Sequence, residues 1–203
     1  MQFQDRIVVE RKWVWVIGMV LFLSMSGRTG AEDAAAATPE SESPPGQIEF
    51  VGKNLIANAE GTFHAWRVVE NEVDFSELST SSVTVEIDLS SIDTKNKSRD
   101  DHLRTADFFD VEQYPTARAK AYNLVQVGES KAGRPRYSIS FDIDLHGISK
   151  TVQGEAELVE VSPAIVEGDL EVNRVDFGIG EPASRWNPMS IEEIIPIHFR
   201  VEL

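Results

Sequence analysis

Strict alternation of apolar and polar side chains is the sequence feature that most constrains how this chain folds. It is clearest in "SVTVEIDL", residues 82–89, and in "YSISFDIDL", residues 137–145. The same period of two recurs over residues 152–158, 166–172 and 195–203. Because successive side chains of a strand point to opposite faces, each segment predicts a β-strand with one apolar and one polar face.

Strands with a single apolar face are typical of antiparallel sheets, since parallel strands buried on both faces have continuous apolar runs. Many such strands with little helical periodicity predict an all-β sandwich or a closed barrel. Three apolar-face positions carry the small residues Gly154, Ala156 and Gly168. Such residues let a strand bend and pack closely, or they leave room for a ligand, and the sequence leaves both interpretations open.

One short helix is predicted between the strands, near residues 98–109. Ser98 can cap its first turn, with Asp101 three residues later, and the acidic start suits the positive end of the helix dipole. Pro115 forbids further helix. We expect an aromatic-rich irregular segment to follow the helix, where it either plugs the core or closes a site that holds an apolar ligand.

The N-terminal residues 1–31 have the parts of a secretory signal: basic side chains, the apolar run "WVWVIGMVLFLSM" and small residues at the exit. The run is shorter than the roughly 20 residues of a membrane-spanning helix, which favours a removable signal over a retained anchor. Residues 32–46, rich in Ala, Pro, Ser and Glu, predict a disordered linker. We therefore expect a folded domain at residues 47–203 of a periplasmic or secreted bacterial protein, with no stable membrane span after signal removal.

Charge and residue inventory exclude several classes of function. The 34 acidic residues outnumber the 19 Lys and Arg residues and give a net charge of -15, which disfavours nucleic-acid binding. The absence of cysteine excludes disulfides, thiolate metal sites and thiol catalysis. No histidine pair has metal-ligand spacing, and no serine-hydrolase elbow is present. We expect no metal, no cofactor and no catalytic residue; a hydrolase that pairs His64 or His102 with a carboxylate is the enzymatic alternative.

Three segments resemble one known family. In "DDHLRTADFFDVEQYP", residues 100–115, the order of acidic, basic and aromatic residues is similar to the D-x-H-L-(K/R)-(S/T)-x-D-F-F-D-x-x-x-Y-P hallmark of YceI-like, lipocalin-like lipid-binding proteins. "LHGISKTV", residues 145–152, resembles that family's L-x-G-(V/I)-(T/S)-K-x-V hairpin, and "VNRVDFGIG", residues 172–180, resembles its I-x-R-x-D-F-G segment. The resemblance covers residues 47–203.

The resemblance implies an extended antiparallel barrel of about eight strands, closed in part by the helix segment. It implies a binding protein, not an enzyme, which binds, sequesters or transports a long-chain amphiphile inside the barrel. The ligand classes implied are polyisoprenoids, isoprenoid quinones and fatty-acid-like lipids. The alternative is a cell-envelope interaction module with a filled barrel. Oligomeric state is left open, with a homodimer among the alternatives.

A set of apolar and aromatic residues is predicted to line the ligand site: Phe50, Phe63, Val85, Ile87, Leu103, Phe108, Phe109, Tyr114, Ile139, Phe141, Ile143, Leu170, Phe177, Ile197 and Phe199. A plain packed core would use the same residues, so the pattern does not separate ligand contact from core packing. A local ion pair between Arg174 and Asp176 is also expected.

Overall fold

The computed structural model describes residues 44–203. The predicted signal at residues 1–31 and the predicted linker as far as residue 43 lie outside the described residues. The strands are β1 (Gly46–Lys53), β2 (Asn58–Phe63), β3 (Trp66–Glu72), β4 (Ser82–Asp88), β5 (Ile92–Asp93), β6 (Thr116–Glu129), β7 (Pro135–Leu145), β8 (Ile148–Val161), β9 (Ala164–Asn173) and β10 (Ile194–Glu202), and the helix is α1 (Lys97–Leu103). Within residues 44–203, no helix has both the length and the apolar character needed to cross a bilayer.

All ten strands belong to one antiparallel sheet in the order β3-β4-β6-β7-β8-β9-β10-β1-β2-β5. Its two ends are close along the chain, because only two residues separate β2 from β3 and a 3-10 turn, Leu89–Ser91, joins β4 to β5. The edge strands are therefore halves of two longer, bent strands.

Backbone hydrogen bonds join the two ends of the sheet. The N–H of His64 donates to the carbonyl of Ser91 at 3.3 Å, and the N–H of Asp88 donates to the carbonyl of Ala65 at 2.9 Å. These bonds bridge the β2–β5 and β3–β4 ladders, so the two bent strands run side by side. The ten strands thus form eight continuous strands wrapped into a barrel, which confirms the predicted fold class.

Side-chain alternation along the strands follows the predicted faces. On β7, Ile139, Phe141 and Ile143 are buried while Asp142 and Asp144 are exposed. The burial of one face of each strand builds the barrel interior, and a one-residue slip would turn all of these apolar side chains outward.

The glycines on the inner face serve close packing. A Cβ on Gly154 would lie 2.9 Å from the ring of Phe141, and one on Gly168 would lie 2.6 Å from the ring of Phe199. Each would also meet a backbone carbonyl of the neighbouring strand, at 2.7 Å and 2.4 Å. The two rings pack edge to face with centroids 5.7 Å apart. Of the two open interpretations, the structure supports close packing at these two glycines, whereas Ala156 lines the cavity described below.

Helix α1 begins earlier and is shorter than predicted. Asn96, with extended backbone, is its N-cap, and its side chain accepts a hydrogen bond from the N–H of Arg99. The predicted cap, Ser98, lies inside the helix, so that assignment is wrong. The helix ends at Leu103 and is followed by turns as far as residue 113, because the aromatic segment packs over the barrel instead of continuing the helix.

Candidate ligand-binding cavity

The barrel interior contains an apolar cavity of about 290 Å³. Its volume lies near the lower end of the range of roughly 300–1,000 Å³ found for small-molecule sites. Side chains of β1, β2, β4 and β6 to β10, together with the segment that follows α1, line it. The alternative of a barrel filled from rim to rim is therefore not what the structure contains.

A row of small side chains on β6 makes room for this cavity. Ala117, Ala119 and Ala121 alternate along β6 and all face the cavity. Ala119 lies between Val85 of β4 and Ile143 of β7 in the sheet register. Because the Ala119 side chain is smaller than those of these two neighbours, space remains between β6 and the centre of the barrel. The predicted lining omits these alanines, although the alternation of alanine with charged residues in "ARAKA" identifies them as an inner face.

Most of the predicted ligand-site residues do line the cavity: Phe50, Phe63, Val85, Ile87, Leu103, Phe108, Phe109, Ile139, Phe141, Ile143, Leu170, Ile197 and Phe199. Two do not. The ring of Tyr114 lies against the ring of His146, with centroids 4.6 Å apart, and covers the β7–β8 turn from outside. Phe177 is 1% exposed and packs in the core behind the cavity wall.

Aromatic rings extend from the segment after α1 to β1 and cover one end of the barrel, which we name the α1 end. The Phe109 ring lies 6.2 Å from that of Phe63, which lies 5.5 Å from that of Phe50. The Phe108 ring packs 5.0 Å from that of His102 on α1. The opposite end, named the β3–β4 end, is lined by the connection between those strands, including Phe75. The aromatic segment therefore both plugs the core and closes the cavity.

A hydrogen-bonded group at the α1 end fixes this cover to the barrel. The buried Asp100 carboxylate accepts hydrogen bonds from the N–H and the hydroxyl of Thr94, which is itself buried and lines the cavity. Arg99 donates from Nε to the Thr94 hydroxyl and from Nη2 to the Thr94 carbonyl, both at 2.7 Å. Thr94 thus anchors the start of α1 at the cavity wall.

Arg174, which follows β9, is a second cation at the α1 end. Its guanidinium is buried and donates four hydrogen bonds to backbone carbonyls of residues 179–192. The expected pair with Asp176 is wrong, because these carbonyls occupy the guanidinium instead. Burial lowers the pKa of Arg174, and the Glu193 carboxylate opposes that effect. Arg174 also lines the cavity.

The histidines of the enzymatic alternative lie at the protein surface. His64 Nε2 is 3.0 Å from the Asp93 carboxylate, and the His64 side chain is 63% exposed. This contact lowers the pKa of Asp93. His102 is 3.7 Å from the exposed Asp107 carboxylate. Among residues 44–203, neither histidine has a hydrogen bond to a hydroxyl nucleophile, and no three His, Asp or Glu side chains converge as a metal site.

Comparison with known proteins identifies related sequences. A family model described as "YceI-like domain" matches residues 42–203. A UPF0312 protein of Staphylococcus epidermidis is 34% identical over 137 residues, which cover 65% of this chain and 76% of that protein. A UPF0312 protein of Vibrio cholerae is 26% identical over 177 residues, which cover 83% of this chain and 89% of that protein.

Solved structures share the fold at low sequence identity. Burkholderia cenocepacia BcnA matches with a TM-score of 0.65 at 20% identity, over 77% of this chain and 94% of that one. A polyisoprenoid binding domain from Saccharophagus degradans matches with a TM-score of 0.54 at 14% identity, over 77% of this chain and 91% of that one. The likeness to these structures establishes the architecture of the barrel.

Proposed function

This chain belongs to the YceI-like domain family, and on that premise we propose that it binds and carries a long-chain amphiphile whose apolar tail lies in the barrel cavity. The proposed ligand classes are polyisoprenoids, isoprenoid quinones and fatty-acid-like lipids. The observation that carries the proposal is the apolar cavity of about 290 Å³ enclosed by the barrel and its aromatic cover.

The energetics favour a binding role for this cavity. An apolar tail that enters this space gains free energy, since each buried methylene contributes about 0.8 kcal/mol. The polyisoprenoid-binding description of the Saccharophagus degradans relative supports the same ligand class.

The same cavity supports a binding protein more than an enzyme. Its wall offers hydrocarbon and few polar groups, whereas acid–base catalysis needs a titratable side chain within hydrogen-bond reach of the reacting group. Apolar contacts discriminate poorly among tails of similar size, so we expect different kinds of tail of the same size to bind with similar affinity. The removable signal predicted at residues 1–31 supports a periplasmic or secreted carrier.

The test is a binding series with geraniol, farnesol and geranylgeraniol on delipidated protein, measured by displacement of a fluorescent lipid probe. Each added isoprenyl unit buries several carbons, so affinity rises at least about tenfold per unit until the cavity is full. Stoichiometry is one ligand per chain. Affinities that do not depend on tail length would contradict a buried tail.

A further inference from the structure

Four large apolar side chains near the α1 end are exposed to solvent. Trp186 is 95% exposed and Leu55 is 80% exposed, and Ile56 and Met189 are exposed as well. We name these four residues the apolar tips. None of them lines the cavity, so the proposed tail site does not account for them. Exposed apolar residues that lie together, unlike scattered ones, mark an interaction surface.

The apolar tips lie in two turns whose bases are joined. Two of the tips belong to the turn between β1 and β2, residues 54–57, and two to the connection between β9 and β10, residues 174–193. The N–H of Glu192 donates to the carbonyl of Lys53 at 2.8 Å. The two turns therefore leave the barrel side by side.

Arg174 holds the base of the second turn closed at the α1 end. Its buried guanidinium donates to the carbonyls of Glu181 and Ile191, at 2.7 Å and 2.8 Å, which are the two ends of the segment that carries two apolar tips. A Cβ on Gly180, directly before this segment, would lie 3.1 Å from the Phe108 ring. The segment is thus fixed beside the aromatic cover.

Side chains within the turns bond the backbone of the apolar tips. Asn54 Oδ1 accepts hydrogen bonds from the N–H groups of Ile56 and Ala57, both at 2.8 Å. Asn187 Oδ1 accepts one from the N–H of Met189 at 3.0 Å. Because unbonded backbone groups are costly outside water, turns that bond their own N–H groups are suited to an apolar environment.

The same turns carry no acidic residue, in a chain that has 34 of them. Residues 54–59 and 182–191 contain no Asp or Glu, whereas Lys53 precedes the first range and Arg185 lies within the second. Basic side chains beside apolar ones complement a lipid surface, since their stems lie among apolar groups while their charges reach the headgroup phosphates. The carboxylates nearest along the chain lie at the bases of the turns: Glu60, Glu181 and Glu192.

A lipid surface fits the apolar tips better than a protein partner does. A side chain as exposed as Trp186 has almost no neighbours that hold it in one orientation. Energetically dominant residues of protein interfaces lie in well-packed pockets, whereas a fluid bilayer requires no matching shape. Trp is also enriched at membrane interfaces, because its ring is apolar and its N–H is polar.

The bases of the two turns are part of the cavity wall. Gly52 and Ile191 both line the cavity, and a Cβ on Gly52 would lie 3.7 Å from the Ile191 side chain. A long apolar tail is poorly soluble in water, so its carrier must exchange it with a lipid phase. Docking through these turns brings the α1 end of the cavity to that phase.

We propose that the apolar tips insert into the interfacial layer of a lipid bilayer and dock the α1 end of the barrel on the membrane surface. This inference goes beyond the proposed function, because docking and tail binding use different residues. Since anionic lipids repel a chain with a net charge of -15, the surface we expect is a zwitterionic one.

Co-sedimentation with phosphatidylcholine vesicles tests the docking. The protein is isolated in the form that its host exports, because the apolar run of the predicted signal would itself bind lipid. The wild type binds the vesicles, and binding persists at high salt because the contact is apolar. Trp186→Gln and Leu55→Gln each lower the partition coefficient about tenfold, since each removes an apolar side chain from the contact.

Two further variants locate the contact. Val161→Gln is the matched control and leaves binding unchanged, because it replaces an exposed apolar residue where β8 ends, at the opposite end of the barrel. Trp186→Phe retains most of the binding but loses the blue shift of tryptophan fluorescence that vesicles cause in the wild type. The buried Trp66 does not report the contact.

The outcomes separate docking from tail binding. Absence of vesicle binding, or equal binding by the wild type and Trp186→Gln, would overturn the docking and leave tail binding intact. A concentration-dependent dimer that Trp186→Gln abolishes, without vesicle binding, would overturn it in favour of a second copy of this chain. Vesicle binding that depends on Trp186, without uptake of geranylgeraniol from the vesicles, would support the docking and refute the proposed function.

Discussion

Filling the cavity from β6 separates tail binding from folding. Ala119→Phe places a phenyl ring where Ala119 faces the cavity between Val85 and Ile143. The ring takes the room of roughly four methylene groups, each worth about 0.8 kcal/mol when buried, so tail binding weakens by about 3 kcal/mol, or roughly two orders of magnitude. The ligand-free protein gains up to about 2 kcal/mol of stability, because the ring fills unused apolar space.

Two assays read out this variant: probe displacement with geranylgeraniol for the tail, and urea unfolding without ligand for the stability. The matched control is Lys120→Phe, which adds the same ring one residue away on the exposed face of β6 and leaves affinity unchanged. Wild-type affinity in a folded Ala119→Phe protein would refute tail binding at this wall. A loss of stability of about 1–3 kcal/mol would indicate overpacking and refute the space itself.

Three further predictions concern stability. Gly168→Ala lowers the melting temperature, because the added Cβ would lie 2.4 Å from a backbone carbonyl. Gly52→Ala is the control and leaves the melting temperature unchanged, since the nearest atom to its Cβ would be 3.7 Å away. Equal melting temperatures for the two variants would contradict the close packing at Gly168. Asp100→Ala costs about 1–3 kcal/mol in urea unfolding, since it leaves the buried N–H of Thr94 without an acceptor; an unchanged midpoint would contradict the anchor. Hydrogen bonds from Arg118 and Arg67 lower the pKa of Glu86 below its usual 4.5, so the carboxylate's contribution to stability is complete above pH 4.5 and is lost as the pH falls through the lower pKa of the folded state. Glu86→Gln therefore weakens the pH dependence of the urea midpoint below pH 4.5. The same pH dependence in this variant as in the wild type would contradict the assignment.

The parts of the fold that depend on local pattern are predictable from the sequence. The period-two alternation of "YSISFDIDL" places Ile139, Phe141 and Ile143 inside, because strand geometry leaves a side chain only two faces. The short helix is predictable from its charges and from Pro115. Its cap is not, since Asn96 and Ser98 have similar capping preferences.

The parts of the site that depend on distant residues could not be read from the pattern. Arg174 is held by carbonyls as far along the chain as Glu192, so its environment is set by a loop that no local rule positions. The roles of Gly168 and Ala119 differ although both are small and face inward. Gly168 lies under the ring of Phe199, whereas Ala119 faces open space, and only the three-dimensional packing distinguishes them.

Native mass spectrometry of the protein purified from its own host tests the carrier function most directly, because gentle ionisation keeps bound molecules attached to the chain. We predict one adduct per chain. Denaturation releases it as an amphiphile with a long hydrocarbon tail, and the Ala119→Phe variant fails to retain it. A bare chain mass, together with no uptake of added geranylgeraniol or geranylgeranyl phosphate, would contradict it.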